Sequence, residues 1–137
     1  MFTQKYIDHL SYNIIGCAIE VHKLLGPGLL ESIYTKCLIQ ELKIKGYVVC
    51  NQLMIPLDYK GVEMNCELRL DILVDNLIII ELKSVEKIHP VFEAQILTYM
   101  KLLKKPKGIL INFNCKNLFY EGQKTFVNEF YAKLPKD

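Results

Sequence analysis

The sequence predicts a mixed α/β (α+β) domain, and three observations carry the prediction. Apolar residues recur at three- and four-residue spacing over positions 4–45, and the period then changes to two across the middle of the chain. One helical pattern at 90–104 separates the middle strands from the last apolar strand, so the chain must cross over the sheet. An antiparallel run followed by such a crossover makes a mixed sheet with helices on both faces.

The elements follow in order. Tyr6, Ile7, Leu10, Ile14, Cys17, Ala18, Val21 and Leu25 place a helix at 4–25, stopped by Gly-Pro-Gly at 26–28. A second helix at 29–45 carries Leu30, Ile33, Tyr34, Cys37, Leu38 and Leu42 on one face and ends at Gly46. Strands are expected at 47–50, 53–59, 64–74 and 77–83, with turns at Lys60-Gly61 and Asp75-Asn76. The third helix, 90–104, has Pro90 in its first turn. GILINF (108–113) reads as a buried strand, Leu118–Tyr120 as a short edge strand, and 125–134 as a strand end or a closing helix.

At 137 residues the chain fits one domain, 1–137, and a hydrophobic content of 51% is ample for its core. The net charge of +2 means that binding to nucleic acid would need a local patch. Five cysteines, none spaced as C-x-x-C, argue against zinc and iron–sulfur sites and for reduced thiols in a cytoplasmic protein. The first residues lack a charged-then-apolar signal pattern, and the longest apolar run, Leu77–Ile80, is too short to span a membrane. There is no G-x-S-x-G, no phosphate loop, and no histidine pair at metal-ligand spacing.

Chemistry concentrates in ELRLDILVDNLIIIELKSV, 67–85. One face of its first strand holds Glu67, Arg69 and Asp71, and one face of its second holds Glu81 and Lys83. In an antiparallel pair, facing positions have a constant sum. A two-residue turn at 75–76 gives an odd sum and separates Asp71 from Glu81; a three-residue loop or a bulge gives an even sum and sets them side by side. Only the even register gathers Leu70, Ile72, Ile80 and Leu82 together, so an odd loop or bulge is expected. Adjacent carboxylates then need a cation between them, either Lys83 or a divalent ion. Hard oxygen donors suit Mg²⁺ or Mn²⁺. The same residues also suit a solvated sheet face with an ion pair.

Other candidates are similarly two-sided. Gln95 and Tyr99 share a face of the third helix, either as core packing or as groups reaching toward the carboxylates. Glu31, in the first turn of the second helix, either complements the helix dipole or adds a third acid. Tyr34 suits a core position. Lys101, Lys104, Lys105 and Lys107 suit a solvated helix end or a phosphate-contacting patch.

EVHKLLGPGLLESIY, containing Gly28-x-x-Glu31-x-x-Tyr34, resembles the GxxExxY protein family, a branch of the PD-(D/E)xK nuclease-like superfamily. The resemblance continues through LDILVDNLIIIELKSV, HPVFEAQILTYMKLLKK and GILINFN, about residues 10–130. It implies a restriction-endonuclease-like core and a metal-dependent nuclease acting on DNA or RNA. Asp71 matches the metal-binding Asp, and Glu81 and Lys83 match the (D/E)xK. Gln95 and Tyr99 match a Q-x3-Y helix, and Glu31 an additional helical acid. Leu70 stands where the superfamily often has proline. The resemblance further implies Mg²⁺ or Mn²⁺ held by Asp71, Glu81 and the Leu82 carbonyl, with Glu31 and Gln95 adjacent to the metal, Tyr99 bracing Gln95 or touching the nucleic-acid backbone, and Lys83 positioning the attacking water. The rival expectation is a catalytically inactive module that keeps the fold and binds nucleic acid or protein. A homodimer would supply the gripping surface that so small a chain lacks.

Overall fold

A computed structural model describes residues 2–137. Helix α1 (Gln4–Leu25) starts where the Thr3 hydroxyl accepts the Tyr6 N–H at 3.0 Å and ends at Gly26, whose φ of 72° no β-carbon opposes. Helix α2 (Glu31–Ile44) follows. Strands β1 (Val49–Met54), β2 (Leu57–Tyr59), β3 (Val62–Met64), β4 (Arg69–Val74) and β5 (Ile78–Lys83) lead to α3 (Pro90–Leu103). The chain closes with β6 (Lys107–Asn112), a π-helical turn (Leu118–Gly122), β7 (Gln123–Val127) and α4 (Glu129–Ala132).

The main sheet has the order β1-β4-β5-β6-β7, with β5 and β6 parallel and the other pairs antiparallel. Helix α3 makes the crossover that the parallel pair requires. Both faces are covered, which explains why the central strands are nearly continuous Ile, Leu and Val. Ile72, Val74, Ile78, Ile80 and Leu82 pack under α1 and α2; Leu73, Ile79 and Leu110 pack under Ile96, Tyr99 and Met100 of α3. Each such side chain, fully buried, contributes about 1.5–3 kcal/mol.

Three expected elements change. The breaks fall elsewhere in the first strands: β1 runs unbroken through Asn51 and Gln52 and stops before Pro56, which cannot donate to a ladder. The expected strand 64–74 splits, so that β2 and β3 form a separate hairpin and only 69–74 joins the main sheet. Leu118–Tyr120 is not a strand. The Asn117 side chain accepts the Tyr120 N–H, the Glu121 carboxylate accepts the N–H groups of Lys116 and Asn117, and these local bonds wind the segment into the π-helical turn. Residues 125–134 contain both expected endings, the close of β7 and then α4.

The loop between β4 and β5 has three residues, 75–77, with Asp75 and Asn76 both left-handed at φ 51° and 58°. The pairs Ile72↔Ile80, Leu73↔Ile79 and Val74↔Ile78 give the even register.

The β1–β4 ladder contains one irregularity. Its register holds on both sides of Gln52, with Asn51 opposite Ile72 and Leu53 opposite Leu70, but Gln52 itself has φ 53°. Leu53 and Leu70 share strand parity with Val49, Ile72 and Val74, yet they pack on the α3 side of the sheet. The pleat is therefore broken at Gln52 and Asp71 without any slip in register.

Candidate active site at the open end of β4 and β5

The regular β4–β5 ladder ends at Ile72↔Ile80, and beyond it side chains replace backbone partners. The Asp71 N–H donates to Glu81 Oε1 at 3.2 Å, and the Leu82 N–H donates to Asp71 Oδ2 at 2.9 Å. Each acid thus satisfies a backbone donor of the opposite strand's opening. This is how two carboxylates come to sit inside an apolar hairpin: the backbone N–H groups need acceptors, and the sheet no longer supplies carbonyls.

Glu81 is buried, with 5% of its surface exposed. Burial first, and then the neighbouring Asp71, push its carboxyl up to about 9; Lys83 pulls the other way. Near neutral pH the pair therefore keeps a proton. Lys83, half-buried at the end of β5, holds its ammonium 4.4 Å from the centre of the Phe92 ring, a cation–π contact. It pairs with neither carboxylate: the ion pairs among the described residues are Lys107–Asp8 and Lys124–Glu93.

Glu31 is the first residue of α2 and half-buried. Burial raises its carboxyl, Lys83 lowers it and Asp71 raises it, so it faces the same site from the helix side. Tyr34 explains its placement. The Tyr34 hydroxyl donates to the Gly26 carbonyl at 2.5 Å and accepts the Leu29 N–H at 3.1 Å, tying the α1–α2 loop to α2. Its ring stacks on Phe113 with centroids 4.4 Å apart. The G-x-x-E-x-x-Y spacing is thus a loop clasp that fixes the end of α2 carrying Glu31. Tyr99, buried on α3, lies on the other side; burial, Glu81 and Asp71 all raise its hydroxyl. Gln95, one turn earlier on α3, is exposed and forms no hydrogen bond among the described residues.

The structure therefore brings Asp71, Glu81, Lys83, Glu31 and Tyr99 to one end of the sheet and leaves Gln95 at its edge. Glu31 does not complete a cluster of acids: among the described residues no group of three or more His, Cys, Asp and Glu side chains is placed to hold a metal by itself. The donors on offer are the two hard carboxylates of Asp71 and Glu81, which suit Mg²⁺ or Mn²⁺.

Residue reading missed three supports. The Ser84 hydroxyl donates to the Leu29 carbonyl at 2.6 Å and locks the α1–α2 loop to the end of β5. The Asn112 side chain accepts the Val85 N–H and donates to the Val85 carbonyl, pinning the chain just past Lys83. Phe92 seats the Lys83 ammonium. A polar Asn inside GILINFN was the one available signal; Ser84 and Phe92 gave none, because their partners are distant in sequence.

A cavity of about 390 Å³ adjoins the pair and includes Glu31 and Asp71 in its walls. A larger one, about 700 Å³, lies between α1 and the far end of α2, around Cys17 and Glu41, away from the carboxylates. No described helix is long and apolar enough to cross a membrane.

Neither the curated proteins nor the solved structures contain a significant match to this chain. A family model described as the PD-(D/E)XK nuclease superfamily matches residues 8–125. That span contains the whole sheet except the last residues of β7, and the mixed five-stranded sheet between helices agrees with a restriction-endonuclease-like fold. By its matched sequence and its sheet, the chain belongs to the PD-(D/E)XK nuclease superfamily.

Proposed function

We propose that this chain, a member of the GxxExxY branch by its Gly28-x-x-Glu31-x-x-Tyr34 clasp, is a divalent-metal-dependent nuclease that hydrolyses phosphodiester bonds, with DNA as the favoured substrate. The observation that carries the reading is the Asp71–Glu81 pair, hydrogen-bonded across an opened ladder and holding a proton that a cation would displace. Asp71, Glu81 and the Leu82 carbonyl would hold Mg²⁺ or Mn²⁺, with Glu31 beside them. A bound ion of this kind supplies Lewis-acid polarisation of the phosphoryl group and a water of lowered pKa.

The chain's own residues do the rest. Lys83, fixed over Phe92, would present a positive charge where negative charge builds on the phosphoryl oxygens in the transition state, and it would orient the attacking water. Tyr99 walls the carboxylates on the α3 side and limits water there. Gln95, exposed at the edge of the same helix, is free to meet the nucleic-acid backbone. Serial ordering by Tyr34, Ser84 and Asn112 keeps these groups in place before substrate arrives.

The test is cleavage of labelled single-stranded, duplex and branched DNA, and of RNA, with Mg²⁺ or Mn²⁺. Asp71→Ala and Lys83→Ala should each lower the rate by on the order of 10²-fold or more while circular dichroism stays that of the folded chain. Divalent metal should also raise the melting temperature of the wild type and not that of Asp71→Ala. Cleavage that survives both substitutions would sink this assignment of the site.

A further inference from the structure

The break in the β1–β4 pleat has a chemical outcome. In a regular strand, consecutive side chains point to opposite faces. Asn51 and Gln52 are consecutive in β1, yet both line the 390 Å³ cavity that Asp71 and Glu31 also line. The left-handed backbone of Gln52, φ 53°, is what turns both amides the same way. A residue other than glycine is held there at a cost of about 1–3 kcal/mol, and such positions cluster where function needs them. Among the described residues no hydrogen bond uses either side-chain amide, and both residues are exposed and line the cavity.

Besides Glu31 and Asp71, the cavity walls carry the Thr35 hydroxyl, the Lys36 ammonium, the apolar Ile39 and the two amides. Thr35 already donates to the Glu31 carbonyl, so its oxygen is left to accept. The volume lies within the range of about 300–1,000 Å³ usual for small-molecule sites. A chamber of this size, with amides, hydroxyls and the apolar Ile39 in its walls beside a phosphate-handling end, fits a nucleoside.

We propose that this cavity is a nucleoside subsite, in which the amides of Gln52 and Asn51 hydrogen-bond the base or sugar next to the phosphate under attack, with Lys36 at its rim. The proposal rests on the nuclease reading above and deepens it. It makes Gln52 a specificity-determining residue whose side chain serves the ligand, while its backbone conformation also turns Leu53 onto the α3 side.

The experiment compares wild type, Gln52→Gly and Gln52→Ala. Binding is read by fluorescence anisotropy with short labelled DNA and RNA oligonucleotides in Ca²⁺, and stability by thermal melting. Glycine adopts φ 53° without strain, so Gln52→Gly should melt at or above the wild-type temperature yet bind at least fivefold more weakly. Gln52→Ala keeps the strain and should lose affinity by a similar factor. In cleavage assays both changes should raise KM with little effect on kcat, the opposite of Lys83→Ala. Wild-type affinity and KM in both variants would overturn the subsite while leaving the nuclease reading intact. A Gln52→Gly chain that melts lower and binds less would also overturn it, since Gln52 would then be structural. A wild-type chain that binds no oligonucleotide and cleaves none would overturn both.

Discussion

Replacing Glu81 by Gln should remove a pH dependence of stability that the wild type carries. Glu81 titrates near 9 in the folded chain, against an ordinary value of 4.5, because it is buried beside Asp71. Between those values the folded chain keeps a proton that the unfolded chain has released, so stability falls as pH rises. The contribution is fully present below pH 4.5 and lost as pH climbs toward 9. A one-proton difference gives a slope of about 1.4 kcal/mol per pH unit, hence about 4 kcal/mol between pH 5 and 8. Glu81→Gln presents a permanent neutral donor: its carbonyl oxygen can still accept the Asp71 N–H, and its amide can donate to the Asp71 carboxylate. Urea unfolding at pH 5, 6, 7 and 8 should therefore show the variant near wild type in acid and progressively more stable above it. Asp71→Asn should flatten the wild-type slope only in part, since burial, the larger cause, remains. Saturating Mg²⁺ should flatten it by a different route, because the cation takes the proton's place. Parallel stability curves for wild type and Glu81→Gln would refute the whole electrostatic account of the pair.

Two further substitutions test how the site is held. Tyr34→Phe keeps the ring stacked on Phe113 but strands the Gly26 carbonyl and the Leu29 N–H, and should cost about 1–3 kcal/mol in urea unfolding; a change below about 0.5 kcal/mol would mean the clasp is not what fixes the loop. Gly122→Ala would place a β-carbon 2.6 Å from the Asn112 carbonyl oxygen and 2.8 Å from Cys115 Sγ, and backbone cannot give way as a side chain can. Its melting temperature should fall by an amount corresponding to about 1–3 kcal/mol, and a neutral result would mean that the π-helical turn shifts freely against β6.

Much of this was legible in the sequence because alternation is a strict rule. Ile72, Ile80 and Leu82 gather on one face in the even register, the register demanded an odd loop, and the loop 75–77 sets Asp71 beside Glu81; Leu70, expected with them, turns to the α3 face beyond the break at Gln52. Covering helices on both faces followed from the crossover helix. What stayed hidden depends on partners remote in the chain. Nothing around Ser84 indicates that its hydroxyl meets Leu29, and Leu118–Tyr120 has strand-like residues that only the Asn117 and Glu121 side chains turn into a π-helical turn. The left-handed backbone at Gln52 is the clearest case. A glycine there would have flagged it; a glutamine in an otherwise ordinary strand does not.

The break at Gln52 and the burial of Glu81 are best understood together. A continuous ladder would have satisfied the Asp71 and Leu82 N–H groups with carbonyls, and Asp71 would have followed Leu73 onto the face under α3. Opening the β4–β5 ladder instead recruits the two acids as acceptors, and breaking the β1–β4 pleat opposite Asp71 lets it face α2, where Glu31 waits. Both distortions cost stability, and the break at Gln52 also turns Leu53 and Leu70 onto the α3 side, where they pack. The one thing they achieve jointly is to hold a proton-sharing carboxylate pair against a polar cavity. On the proposed reading, a bound nucleotide would offset the cost of the Gln52 conformation through the amides that this conformation presents, and a bound cation would replace the proton on the pair.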